Sequence, residues 1–241
     1  MGFSEFLLFV LPIYILEVLA AVAGTYYLRN AAAPYKNSKY LVLFLWLTVF
    51  VETVGLYSPG AYFSNYRLFS FVKDTPFAEN YWWYNIYIPF SYCFYVFYFI
   101  SFLKRKFWKP VFGIAVGAFL TASVLIFIFT DIFFKGYSPY VSIAGTILLF
   151  FSIVLFYFEL LRSDLILLLK WTLPFYISVG VLVFNLCLTP VDMFIQYYNL
   201  KEGNELFVTL RSNVLLYGNI FMYSIYTLGF LICSKKKKSS Y

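Results

Sequence analysis

Two carboxylates, Glu17 and Glu52, lie inside long apolar stretches of this chain and are the residues best placed to do chemistry. An ionised side chain at the centre of a bilayer costs at least about 2.5–3.5 kcal/mol, so each carboxylate needs a physical reason to be there. In a helix, Ala20 and Gly24 share the face of Glu17 and allow a neighbouring helix to approach closely. Small or hydroxyl-bearing residues flank Glu52 in the same way. We therefore predict that both carboxylates point into a helix bundle.

Further polar side chains lie at the depth of these two carboxylates. At 1.5 Å per helical residue, Glu17 is about 18 Å from Arg29 and Glu52 is about 20 Å from Lys39. The same count gives about 18–24 Å for polar residues of three later apolar stretches: Ser91, Tyr92, Asn185 and Asn219. We predict one ligand-binding layer that consists of Glu17, Glu52, Tyr92, Asn185 and Asn219.

Three interpretations of the carboxylate pair are open. The two groups can share a proton, because like charges in a low-dielectric interior repel one another. They can bind the cationic or hydroxyl groups of a ligand, or they can be structural and accept hydrogen bonds from neighbouring side chains. The sequence places no basic residue at this depth, which favours a proton or a cationic ligand over a salt bridge. Asp131 and Asp192 fall at the predicted outer ends of helices, where we expect them to be solvated.

Catalysis has little support in the sequence. There is no histidine, so the commonest general base and metal-binding imidazole are absent. The cysteines Cys93, Cys187 and Cys233 fall in apolar runs without the spacing of a metal site or a disulfide framework. The last apolar run has no lysine between Ser212 and Ser234 to bind retinal, which excludes a pigment of the microbial-rhodopsin type. We predict no enzymatic activity, no catalytic residue, no metal and no cofactor.

The composition predicts an all-α integral membrane protein. Apolar residues make up 63% of the chain and charged residues 12%, against about 45–50% and about 25% in soluble domains. Seven apolar runs of roughly twenty residues are long enough to cross a bilayer. They lie near residues 6–28, 40–58, 82–103, 110–130, 139–161, 168–192 and 212–234. We predict one seven-helix transmembrane domain over residues 1–241.

The basic residues predict the orientation of the bundle. Most of the 18 lysines and arginines fall in the first, third and fifth connections and in the tail at 235–241. By the positive-inside rule, the N-terminus is then outside and the short basic tail is cytoplasmic. An odd number of spans is required, and seven satisfies it. We predict a location in the cell's inner, or plasma, membrane.

The first three spans resemble the last three in sequence. Lys39-Tyr40 aligns with Lys170-Trp171, and Ser58-Pro59 aligns with Thr189-Pro190 at the same offset. This predicts parallel repeats in a 3+1+3 arrangement, with the fourth span as connector, although chance similarity between aromatic-rich spans explains the match as well. The topology resembles that of the SWEET sugar transporters and the PnuC-type nicotinamide-riboside transporters. The resemblance covers topology only and assigns no site residue, because the substrate motifs of those families are missing.

Other features concern the packing of the bundle. Gly113, Gly117 and Thr121 form a small-residue stripe on the fourth span, which predicts a close contact inside the bundle, with dimerisation as the alternative. Pro89 and Pro190 predict kinks that open a cavity in the outer half, although Pro190 also suits a helix end. The connection at 58–81 is expected to form a lid or a short interfacial helix.

Two functions fit these features. The first is a transporter for a small neutral or cationic solute, coupled to protons through the carboxylates. The second is a seven-helix ligand sensor that signals through a cytoplasmic or membrane partner protein. Besides that partner, we expect the lipid bilayer and a small-molecule ligand to be partners of the chain, and no nucleic acid.

Overall fold

The computed structural model describes residues 3–31, 34–35, 37–194 and 205–235, and the described residues form helices without any strand. The α-helices are α1 (Phe3–Asn30), α2 (Ser38–Gly55), α3 (Tyr57–Phe63), α4 (Tyr81–Ile100), α5 (Trp108–Phe129), α6 (Ile132–Lys135), α7 (Pro139–Leu161), α8 (Leu173–Met193) and α9 (Glu205–Ser234). Two 3₁₀ helices cover Ser70–Val72 and Asp164–Trp171.

The chain is a polytopic, all-α membrane protein. Six of the described helical segments are long and apolar enough to cross a membrane: α1, α2 together with α3, α5, α7, α8 and α9. Their outer faces carry large apolar side chains, such as Ile114 and Phe129, which are 76% and 81% exposed. Lipid is the environment that makes such exposure favourable. The remaining predicted span, the third at 82–103, corresponds to α4, which is long enough to cross but is not among these six because its many tyrosines lower its mean hydropathy.

The long helices pack in a ring. Each of α1, α2, α4, α7, α8 and α9 contacts the next in that order, and α9 returns to α1. Helix α5 lies outside the ring against α4 and α7. Close approach within the ring depends on small residues, as at Gly24, where an added Cβ would lie 2.7 Å from Val42 on α2 and 3.1 Å from Phe230 on α9. The prediction that Glu17, Ala20 and Gly24 share an inward face is confirmed, because all three are buried.

The small-residue stripe on α5 does not make the predicted contact inside the bundle. An added Cβ at Gly113 or Gly117 would meet nothing within 4 Å among the described residues. The Thr121 hydroxyl, whose residue is exposed, bonds back to the carbonyl of Gly117 at 2.9 Å. The expectation was wrong because small-residue spacing shows only that a helix face is narrow and does not say what lies against it.

Two helix boundaries differ from the apolar runs. Helix α9 begins at Glu205 rather than near 212, because its polar first turns remain helical before the apolar run starts. Helix α8 begins at Leu173 rather than near 168, with Pro174 in its first turn, a position that proline favours. Helix α8 also continues past Pro190 to Met193, so this proline does not end it. The predicted short helix in the connection at 58–81 is present as α3.

The predicted orientation and internal repeat stay predictions. Most of the basic tail at 235–241 lies outside the described residues, as do Lys36 and Lys201, which entered the count of charges on the two sides. We call the half of the bundle next to residues 130–138 the outer half, and the half next to residues 101–107 the inner half.

Candidate functional site

A cavity of about 260 Å³ lies inside the ring, in the outer half of the bundle. Its walls come from α2, α4, α7, α8 and α9, while α1 and α5 contribute none of its lining residues. The volume is just below the range of about 300–1,000 Å³ that small-molecule sites typically have. The cavity therefore suits a small solute rather than a large one.

The cavity brings together four of the five predicted site residues. Glu52, Tyr92, Asn185 and Asn219 all line it, as does Ser91, which the depth count placed in the same layer. Glu17 is not among the lining residues. That these residues bind a ligand stays a prediction.

Glu52 stands on the cavity wall with one strong hydrogen-bond donor. The hydroxyl of Tyr84 donates to Oε2 of Glu52 at 2.7 Å. Gly55 leaves room for this hydroxyl, since an added Cβ at Gly55 would lie 2.5 Å from it. Tyr84 on α4 thus packs against Gly55 on α2 and lies beside the Glu52 carboxylate.

Glu17 lies behind the wall in a drier position. Its side chain is 1% exposed, and its Oε1 atom has no hydrogen-bond partner among the described residues. Glu17 interacts electrostatically with Glu52, so the two carboxylates are neighbours as their common depth predicted. They differ in what surrounds them, however, because only Glu52 reaches the cavity.

Tyr92 and Asn185 form the centre of a network of hydrogen bonds between helices. The Tyr92 hydroxyl donates to Oδ1 of Asn185 at 3.0 Å and lies 3.0 Å from the hydroxyl of Thr146. The Thr146 hydroxyl lies 2.9 Å from that of Thr189. The Asn185 amide donates to the carbonyl of Val181 at 2.8 Å within its own helix. The network joins α4, α7 and α8 with buried polar groups that satisfy one another.

Asp192 was expected to be solvated, and this was wrong. It is 8% exposed and lines the cavity, where Nε of Arg211 lies 3.2 Å from its Oδ1. Ser142 donates a second hydrogen bond, at 3.3 Å, to Oδ2 of Asp192. Arg211 reaches this position because α9 begins before the apolar run and carries the residue to the cavity. A basic residue therefore does line the layer, but it is paired with Asp192 and not with Glu17 or Glu52.

Residues 131–138 connect α5 to α7 at the outer end of the bundle, and Tyr137 and Ser138 of this segment line the cavity. The Asn85 amide donates to the carbonyls of Ile132, Phe133 and Gly136 at 3.3, 3.0 and 2.8 Å, and so fixes this segment to α4. Tyr137 lines the cavity, and the guanidinium of Arg211 lies 5.5 Å from the centre of its ring. Burial raises the pKa of Tyr137, so its hydroxyl stays neutral.

The other acid near this segment is exposed, as predicted. Asp131 bonds to Lys135 at 2.6 Å, and the two side chains are 82% and 73% exposed. The hydrogen bond from Lys135 lowers the pKa of the Asp131 carboxyl. This pair is a surface contact between the residue that precedes α6 and the last residue of α6, and neither side chain lines the cavity.

A group of tyrosines at the cavity was not among the predicted site residues. Tyr84, Tyr87 and Tyr95 lie on one face of α4, and Tyr137 and Tyr223 complete the group around the cavity. The spacing of three to four residues among Tyr84, Tyr87, Ser91 and Tyr95 is a helical periodicity and could have identified that face.

Large apolar and aromatic side chains close the inner half of the bundle. They include five that are completely buried: Phe99, Ile153, Ile177, Tyr226 and Phe230. The ring of Tyr226 lies tightly against Gly180, and its hydroxyl donates to that of Tyr95 at 3.2 Å. A layer of packed side chains therefore separates the cavity from the inner end of the bundle.

Comparisons of the chain with protein-family models, with curated proteins and with solved structures find no match.

Proposed function

We propose that the protein is a transporter for a small neutral or cationic solute, in the plasma membrane, with the cavity as its binding site. The observation that carries the proposal is the asymmetry of the bundle. A polar cavity occupies the outer half, while the inner half is packed with buried aromatic and aliphatic side chains. Such an arrangement suits one state of an alternating-access cycle, in which a central site is open to one side at a time.

The charges of the cavity favour a neutral or cationic solute. Among its described lining residues, the charged ones are Glu52, Asp192 and Arg211. The ion pair between Arg211 and Asp192 leaves Glu52 as the unbalanced charge. Among the described residues the Glu52 carboxylate accepts a hydrogen bond from the Tyr84 hydroxyl alone, so it can still accept hydrogen bonds from a solute. An anionic solute would meet repulsion there.

The helix contacts are compatible with two equivalent halves. If α4 is the third span, exchanging spans one to three with spans five to seven maps each contact of the ring onto another contact. The aligned residues Lys39 and Lys170 each lie over the aromatic ring that comes after them in the chain, at 4.8 and 5.3 Å. These features support the 3+1+3 arrangement, which would supply two units that rock against one another.

We also propose that the protein changes no covalent bond in its ligand. The chain contains no histidine, and we assign the cavity carboxylate to binding.

A ligand sensor is the second candidate. It is favoured by the network around Tyr92 and Asn185, which links three helices at the cavity and can transmit a change in their packing. The exposed segment at 104–107 would be available to a signalling partner on the inner side.

The experiment uses the purified full chain in proteoliposomes. A panel of labelled amines, sugars and nucleosides is tested for uptake, and separately for binding in detergent. Ser91→Phe places a ring in the cavity and should abolish both uptake and binding. Ile86→Phe is the control and should alter neither, because Ile86 is 54% exposed on the lipid-facing side of the same helix. Binding without uptake would reject the transporter in favour of the sensor.

A further inference from the structure

The two buried carboxylates stand in different environments although they are neighbours. Glu52 lines the cavity and has a tyrosine donor, while Glu17 is 1% exposed behind the wall with an unpartnered Oε1 among the described residues. A solute in the cavity can touch Glu52 but cannot reach Glu17. The two residues therefore do not share a single binding role, and the structure separates what each can bind.

The described surroundings of Glu17 contain no cation that could balance it. Helix α1 packs against α2 and α9, and tyrosines of α4 are close enough to interact electrostatically with Glu17. The titratable groups that interact electrostatically with Glu17 are Glu52 on α2, Tyr84, Tyr87 and Tyr95 on α4, and Tyr223 on α9. Each of these is neutral or negative. An ionised carboxylate in such a place keeps a large desolvation penalty, and taking up a proton removes the charge.

We propose that the carboxylates divide two roles: Glu52 binds a monovalent organic ammonium in the cavity, and Glu17 holds an exchangeable proton that the bound cation displaces. This inference rests on the proposed transport function and specifies the substrate class and the coupling ion. One cation binds as one proton leaves the O–H of Glu17, and the bonding electron pair stays on the carboxylate. The charge of the site is unchanged by the exchange.

The choice of an ammonium rests on the cavity lining. Six tyrosines line the cavity together with Glu52: Tyr84, Tyr87, Tyr92, Tyr95, Tyr137 and Tyr223. Aromatic faces attract alkylammonium groups, and the attraction is stronger where water is excluded. Arg211 does not oppose such a cation, because its charge is matched by Asp192. A site with one free carboxylate and aromatic walls is suited to one positive charge on an apolar body.

Electrostatic coupling gives the sign of the exchange. While the cavity is empty, the negative charge of Glu52 favours a proton on the neighbouring Glu17. A cation at Glu52 cancels that charge and so favours release of the proton. By thermodynamic linkage, a proton on Glu17 must weaken cation binding by the same factor.

The proton site can be tested without any ligand. Infrared difference spectra of the purified full chain, recorded between acid and alkaline pH, should show the C=O stretching band of a buried carboxylic acid. Glu17→Gln should remove the band and Glu52→Gln should keep it. A band that is absent from the wild type, or that is lost in Glu52→Gln and kept in Glu17→Gln, would overturn the assignment. If Glu17→Gln does not fold, the wild type and Glu52→Gln still decide the question.

The cation site is tested with choline and its neutral isostere 3,3-dimethylbutan-1-ol. Choline should bind at least about tenfold more tightly, and this preference should disappear in Glu52→Gln. Where Glu17 is protonated, choline affinity in the wild type should fall about tenfold for each unit of falling pH, and Glu17→Gln should abolish this slope. Equal binding of the two probes, or an unchanged slope in Glu17→Gln, contradicts the inference.

The same measurements separate this inference from the proposed function. If choline binds with the expected proton release but no cation is accumulated in proteoliposomes, transport is rejected and the division of roles stands. If a solute is accumulated with the same pH dependence in the wild type and in Glu17→Gln, the transporter stands and the division of roles is rejected. Sodium is added in one arm, and competition by sodium in place of the proton would also reject the assignment of Glu17.

Discussion

Tyr92 on α4 donates a hydrogen bond to Asn185 on α8 at 3.0 Å, across the cavity wall. Its ring rests on the backbone of α7 at Gly145, where an added Cβ would collide with ring carbon Cδ2. The same side chain thus joins its own helix to two others, to α8 through its hydroxyl and to α7 through its ring. Both residues are more than nine-tenths buried, so the contact lies in a region of low dielectric.

Replacement of Gly145 should therefore be costly. Gly145→Ala would force the Tyr92 ring to move, and we expect a loss of about 1–3 kcal/mol, as for other overpacked sites. Gly117→Ala is the matched control, because it adds the same methyl group to a helix position with nothing within 4 Å among the described residues. The control should be neutral or slightly stabilising, since alanine favours helix by up to about 1 kcal/mol over glycine. Thermal unfolding in detergent measures both variants, and equal losses would contradict the packing at Gly145.

A second prediction concerns the segment at 131–138, which contributes Tyr137 and Ser138 to the cavity lining. Asn85→Ala removes the amide that binds three carbonyls of residues 131–138, so this segment should open more often. Amide hydrogen exchange should then become faster at residues 132–137. Asn219→Ala is the control, because the Asn219 amide binds only the Leu215 carbonyl of its own helix among the described residues. Similar exchange in the two variants would show that Asn85 does not hold the segment.

The sequence was sufficient to predict the inward face of α1 and most of the polar layer. Helical spacing places Ala20 and Gly24 beside Glu17, and counting residues from the basic flanks places Glu52 and Asn185 at one depth. Both inferences depend on helix geometry alone, which apolar segments follow closely. They do not depend on how the helices are arranged around one another.

Contacts that depend on that arrangement were beyond the sequence. The pair between Asp192 and Arg211 requires α9 to extend beyond its apolar run and to lie beside α8. The cavity tyrosines could not be distinguished by type, because aromatic residues are 25% of the chain and occur on every face. Small residues were equally ambiguous, since Gly145 is covered by Tyr92 while Gly117 is uncovered among the described residues.

The ion pair at the cavity should be energetically coupled. Asp192→Asn or Arg211→Gln alone leaves the other charge in a largely buried site, whereas the double variant leaves none. The double variant should therefore lose less stability than the sum of the single variants, with a coupling energy of about 0.5–3 kcal/mol. Unfolding measurements on the four proteins give this value directly.

Asp131 and Lys135 provide the control pair for that cycle. Their side chains are mostly exposed, so water and salt screen their attraction and the same cycle should show no measurable coupling. Because Lys135 lowers the pKa of Asp131, any contribution of this pair is present at neutral pH and is lost only as the pH falls through that lowered pKa. Equal coupling in the two cycles would contradict the burial of the Asp192 pair.

The last prediction is that α4 crosses the membrane and makes seven spans. Helix α4 is more polar on average than the other spans, but its polar side chains Asn85 and Tyr92 are buried. Ile86, Phe90 and Phe97 lie on its exposed side and are 54%, 50% and 49% exposed. A helix that is apolar outside and polar inside is suited to a bundle in lipid, where the polar groups bond to neighbouring helices.

Cysteine labelling on the two sides of α4 tests this directly. Phe71→Cys and Phe107→Cys are at positions 77% and 67% exposed, and the three native cysteines are first replaced by alanine. With seven spans and the basic connections inside, a membrane-impermeant maleimide should label Phe71→Cys in intact cells and Phe107→Cys only after permeabilisation. Ser4→Cys should label from the same side as Phe71→Cys, because α1 and α2 both lie between them. Labelling of Phe71→Cys and Phe107→Cys from one side would show that α4 does not cross, and the 3+1+3 arrangement would be rejected with it.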